Sequence, residues 1–103
     1  MLEPVTFFKC LADDTRLRCI LLIYQRKELC VCDLEACLQL SQPKISRHLA
    51  QLRQCQLLQA TRREQWMFYS LAADLPKWSK QIIAETAKSN GYLIANALEQ
   101  LKA

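Results

Sequence analysis

The sequence predicts a small, mainly helical domain of the α+β class, and three observations carry that reading. The chain has 103 residues, one domain's worth, and 51% of them are apolar, more than a disordered chain holds. It has one glycine and three prolines, too few breakers for a turn-rich sheet protein. Apolar residues recur at helical spacing over most of the chain and give way to strand-like alternation once, within residues 57–71. A chain of this size buries only about 60–65% of its unfolded surface, so part of its stability is expected from a partner subunit. No apolar run approaches the roughly 18–20 residues of a membrane span. The opening MLEPVTFFK lacks the basic start of a signal peptide. The expectation is a cytoplasmic protein with no membrane partner.

The elements follow in order. Residues 5–12, VTFFKCLA, suggest a short apolar helix. Asp13 or Asp14 can cap the next helix, because a short side-chain oxygen accepts from an orphan N–H. That helix runs over about 14–26, with Leu17, Ile20, Leu21 and Tyr24 on one face. A turn near Lys27–Leu29 leads to a short helix over about 31–38, where Leu34 and Leu38 sit one turn apart. In LSQPKISRHLAQLRQCQLL, Ser41 is the N-cap and Pro43 falls in the first turn, where a missing N–H costs nothing. Ile45, Leu49 and Leu52 form a buried stripe, and Lys44, Ser46, Arg47, His48, Gln51 and Arg53 lie opposite. Two helices joined by a short turn, the second polar and basic near its start, make a helix-turn-helix pattern over about 31–55.

Residues 57–71, LLQATRREQWMFYSL, read as two strands around a turn at Arg63–Gln65. A basic hairpin after a helix-turn-helix is a wing. Its tip has no glycine, which argues against a tight two-residue turn with positive φ. Asp74 is the expected cap of a last helix over about 74–101, with Pro76 in its first turn and Gly91 as a possible kink. Its stripe contains Trp78, Ile82, Thr86, Leu93, Ala97 and Leu101. Such a helix would reach about 40 Å, longer than one small domain covers, so part of its face is expected to meet a second chain. The whole is a single winged helix-turn-helix domain, 1–103, with terminal helices forming a dimer interface.

The positive charge is concentrated. The net charge is +4, and residues 41–65 hold five basic residues against one acid, while the rest of the chain balances. Clustered Lys and Arg neutralise phosphates and release counterions, so this window reads either as a nucleic-acid footprint or as a solvated basic face, and charge alone does not choose between them.

Six cysteines remain to be placed: 10, 19, 30, 32, 37 and 55. In a reducing cytosol structural disulfides are rare, which leaves metal ligands, reactive thiols or core residues. Cys10 and Cys19 lie in apolar runs and read as core, and Cys55 reads as structural. The stretch ELCVCDL, residues 28–34, is different, with Cys30 and Cys32 two apart at the start of a helix. The positive end of a helix stabilises a thiolate, and thiolates select soft ions. A disulfide or two packed thiols are the competing readings. Residues two apart in a helix diverge by about 200°, so one ion would clamp both cysteines only if the first turn unwound. A CxC pair lacks the CxxC spacing of a dithiol enzyme, and no catalytic base is legible, so no enzyme is expected.

FKCLADDTRLRCILLI, ELCVCDL, SQPKISRHLAQLR and FYSL together resemble the ArsR/SmtB family of metal-sensing bacterial repressors, closest to its arsenite- and antimonite-responsive members. The likeness covers about residues 5–98. It implies a homodimer that binds double-stranded operator DNA and lets go when As(III) or Sb(III) binds. It also implies metal ligation by Cys30 and Cys32, with Cys37 a further candidate. Glu35 stands where such relatives often have a third cysteine. For DNA it implies Ser41, Gln42, Lys44, Ser46, Arg47 and His48 on the reading helix and Arg62, Arg63 and Gln65 on the wing. The chain has Gln56, and no wing glycine, where members often carry glycine. A thiol redox switch is the alternative, as is a Cd-, Pb- or Zn-responsive repressor of the same family. Against zinc, no histidine follows His48.

Overall fold

The computed structural model describes residues 1–102. Helices α1 (Pro4–Leu11) and α2 (Asp14–Arg26) lead into strand β1 (Leu29–Cys30), α3 (Val31–Leu38) and α4 (Gln42–Gln54). Strands β2 (Leu58–Arg63) and β3 (Trp66–Leu71) follow, then α5 (Lys77–Ser89) and α6 (Ala95–Lys102). This is a winged helix-turn-helix with α4 as the second helix of the motif. No helix among the described residues is long and apolar enough to cross a membrane.

Helix α2 is the centre of the core. Asp13 caps it by accepting from the Arg16 N–H at 3.0 Å. Cys19, Ile20, Leu21, Leu22 and Ile23 are consecutive and all buried, because α1, α4, α5 and β3 enclose the helix. The one-sided stripe expected from the sequence is therefore too narrow, and Tyr24 is exposed. Ile45, Leu49 and Leu52 of α4 are fully buried, as the spacing predicts. The α1 helix is pinned by Phe7, whose ring meets Trp78 of α5 edge-on at 5.1 Å.

The wing differs from the expectation in two ways. It has a third strand: β1 pairs antiparallel with β3, Leu29 opposite Tyr69 and Cys30 opposite Phe68, giving the order β1-β3-β2. Residues 29–30 therefore belong to the sheet, and Lys27, at φ 74°, makes the turn before them. The hairpin is also tight. Arg63 pairs with Trp66 across a two-residue loop, and Glu64 takes φ 59° without being glycine. Gln56, after α4, likewise sits at φ 68°. Positive φ is uncommon but accessible to non-glycine residues, so the lack of glycine did not exclude the turn.

The last helix is two helices. Helix α5 ends at Ser89, a 3-10 turn spans Gly91–Leu93, and α6 begins at Ala95. Its N-cap is Pro76, not Asp74, and no side chain caps it. The break lets α6 fold back onto α3 while α5 packs on α2. Arg18 fastens the turn, donating to the Leu93 carbonyl and to Asp14 at 2.9 Å. A single 40 Å rod is thus replaced by two faces of one domain.

Candidate DNA interface and soft-metal centre

The start of α4 is built to be read from outside. Ser41 caps the helix by accepting from the Lys44 N–H at 3.4 Å. Gln42 donates to the Ser46 hydroxyl at 2.7 Å, which fixes both polar groups on the exposed face. Lys44 and Arg47 are exposed beside them. His48 is not: its side chain is 11% exposed, and Nδ1 lies 3.8 Å from the Asp13 carboxylate with no hydrogen-bond partner among the described residues. Burial, more than any charge, holds its pKa below the usual value. It faces α2 rather than solvent.

On the wing, Arg62 and Gln65 are exposed. Arg63 is exposed but engaged: its guanidinium donates to Glu28 at 2.5 and 2.8 Å and lies 4.9 Å over the Phe68 ring. This fork-to-fork pair ties the wing to the residue just before β1.

The cysteine motif sits at the join of β1 and α3. Cys30 is the last residue of β1 and the N-cap of α3, with extended backbone at φ −92° and ψ 166°. Cys32 is already helical, and the two Cα atoms are 5.4 Å apart. The bend brings the sulfurs together, and in this structure they are paired as a disulfide. Hence no unwinding of α3 is needed to juxtapose them; Cys30 never was inside the helix. Cys30 is buried and Cys32 exposed, so the pair opens to solvent on one side. Asp33 completes the cluster, with ligand atoms of all three residues within 4.8 Å of one another. Its carboxylate accepts from the Cys30 N–H at 3.2 Å and lies 3.3 Å from Cys30 Sγ. Sequence reasoning missed Asp33; its position three residues after a helix cap was the signal, since acids there reach back to the cap.

Cys37 is not brought to this cluster. It is buried on the opposite side of α3, its Sγ 3.8 Å from the Leu34 carbonyl. Burial pushes its thiol up to about 11 and that of its neighbour Cys19 to about 12. Both are core thiols, and neither joins the cluster of Cys30, Cys32 and Asp33.

A groove of about 350 Å³ joins the two regions. Cys30, Cys32 and Glu35 form one wall, Gln42 at the start of α4 another, and Gln65 and Trp66 at the wing tip the third. The model of the bacterial regulatory protein arsR family matches residues 13–60. The arsenic resistance transcriptional regulator ArsR1 of Pseudomonas putida is 50% identical over 90 residues, which is 87% of this chain and 70% of that protein. The chain belongs to the ArsR family. It is thus a transcription regulator rather than an enzyme. The arsenical resistance operon repressor of Escherichia coli K12 is 50% identical over 84 residues, 82% of this chain and 72% of the repressor. Among solved structures, HlyU of Vibrio cholerae superposes with a TM-score of 0.76 at 30% identity, covering 84% of this chain and 90% of that one.

Proposed function

We propose that this ArsR-family protein is an arsenic-responsive repressor. It binds double-stranded operator DNA as a homodimer in the cytoplasm and leaves it when As(III) or Sb(III) binds Cys30 and Cys32. The observation that carries the reading is the convergence of these two sulfurs at the edge of a groove shared with Gln42 and the wing tip. The names of the two arsenic-resistance relatives, each half identical, support arsenic as the signal. Soft thiolates suit such ions, which use the reduced pair.

The chain's own residues supply a coupling. Cys30 belongs to the wing sheet and Cys32 to α3, which packs on α4. Fixing both sulfurs on one ion fixes the wing against the reading helix. Asp33 is the nearest further donor, and turning it to the ion withdraws it from the Cys30 N–H. Loss of such a cap costs about 1 kcal/mol. A coupling of about 1–3 kcal/mol already changes affinity about 5–150-fold. Exposed Lys44, Arg47 and Arg62 hold phosphates, while Gln42 has the donor and acceptor needed to read adenine.

Titration of the reduced protein with arsenite tests the site. One equivalent per chain should bind, be lost in Cys30→Ser and in Cys32→Ser, and persist in Cys37→Ser. Loss in Cys37→Ser with retention in the other two would overturn the assignment. The disulfide pairing of Cys30 with Cys32 favours one second reading, a thiol redox switch. That reading requires peroxide to release DNA in the absence of arsenite.

A further inference from the structure

The chain carries a second pair of neighbouring thiols outside the proposed sensor site. Cys10 lies in the last turn of α1, and Cys55 is the C-cap of α4. Though far apart in sequence, the two thiols are near neighbours, and Cys55 adds to burial in raising the pKa of Cys10. Cys10 Sγ also approaches the Gln51 carbonyl at 3.9 Å. Both cysteines line one surface groove of about 370 Å³ between α1 and α4. Cys10 is buried and Cys55 half-buried, so an ion reaches the pair from the Cys55 side. Arg16 stands on the wall of this groove. It is held there by donating to the Cys10 carbonyl at 2.7 Å and to the Gln51 side chain at 2.6 Å.

Two sulfurs with no clustered carboxylate or imidazole among the described residues suit a soft ion content with two ligands. We infer that Cys10 and Cys55 form a second soft-ion site, two-coordinate and selective for a monovalent thiophilic cation such as Cu(I), bridging α1 and the end of the DNA-reading helix. Binding sends both thiol protons to solvent and leaves a bis-thiolate complex of charge −1, which the Arg16 guanidinium offsets. Burial, then the Cys55 thiol, push Cys10 up to about 12, so protons compete strongly and affinity climbs with pH.

The test uses the reduced full chain carrying Cys30→Ser and Cys32→Ser, so its outcome does not depend on the sensor reading. Cu(I) buffered by bathocuproine disulfonate is titrated in. The expected result is one Cu(I) per chain, with affinity rising about 100-fold per pH unit because two protons leave. Adding Cys55→Ser, a half-buried position that spares the core, should abolish that equivalent while circular dichroism shows the fold intact. Adding Cys37→Ser should leave it in place. No uptake by the parent, uptake that survives Cys55→Ser, or uptake lost in Cys37→Ser would overturn the inference.

Discussion

Glu28→Gln should tighten operator binding and make it more salt-dependent. Glu28 holds both Nη atoms of Arg63, so this wing arginine is occupied within the chain. The two side chains are 32% and 54% exposed, open enough for a DNA phosphate to compete for the guanidinium. Removing the carboxylate charge frees one cation for one more phosphate. Each phosphate neutralised steepens the dependence of log affinity on log salt by about 0.9. Between about 50 and about 200 mM salt, the advantage of Glu28→Gln over wild type should therefore shrink about 3.5-fold. Fluorescence anisotropy on labelled operator DNA measures both slopes. The same substitution in an Arg63→Ala background removes the specific term and leaves only the general charge effect. Equal salt slopes for wild type and Glu28→Gln, or an undiminished gain in the Arg63→Ala background, would refute the reasoning.

Other consequences are equally open to measurement. Glu64→Gly relieves left-handed strain of about 1 kcal/mol, partly offset by the freedom of glycine in the unfolded chain, and should raise the Tm by about 2–4 °C in a calorimetric scan. Leu49→Ala empties a fully buried site behind the reading helix and should cost about 2–5 kcal/mol in urea unfolding. His48 is held below 6.5 by burial, so the unfolded chain takes up its proton first. Stability should be full well above that value and fall as pH drops through it toward the folded pKa, and His48→Gln should flatten that fall. The Asp13 carboxyl, held below 3.8 by the Arg16 N–H, loses its contribution only at lower pH and does not obscure that window.

The α4 stripe, the Ser41 cap and the wing were legible because each rests on local periodicity or a single cap. What escaped depends on contacts distant in sequence. Nothing in ELCVCDL alone says that Leu29 and Cys30 pair with Tyr69 and Phe68, yet that pairing holds Cys30 outside α3 and lets the sulfurs meet. The inward turn of His48 brings it beside Asp13, the distant residue that caps α2. Arg63 looked free for DNA because its partner lies 35 positions earlier. The break after Ser89 came at the glycine flagged as a kink, but its depth reflects the room α6 finds on α3.

The central claim is that one soft ion at the Cys30–Cys32 pair couples the wing to the reading helix. Operator binding of the reduced protein, followed by anisotropy as arsenite is added, tests it most directly. Wild type and Cys37→Ser should dissociate, and Cys30→Ser and Cys32→Ser should stay bound at every arsenite concentration. Wild type loaded with arsenite yet still bound to its operator, or release that survives the Cys32→Ser change, would contradict it.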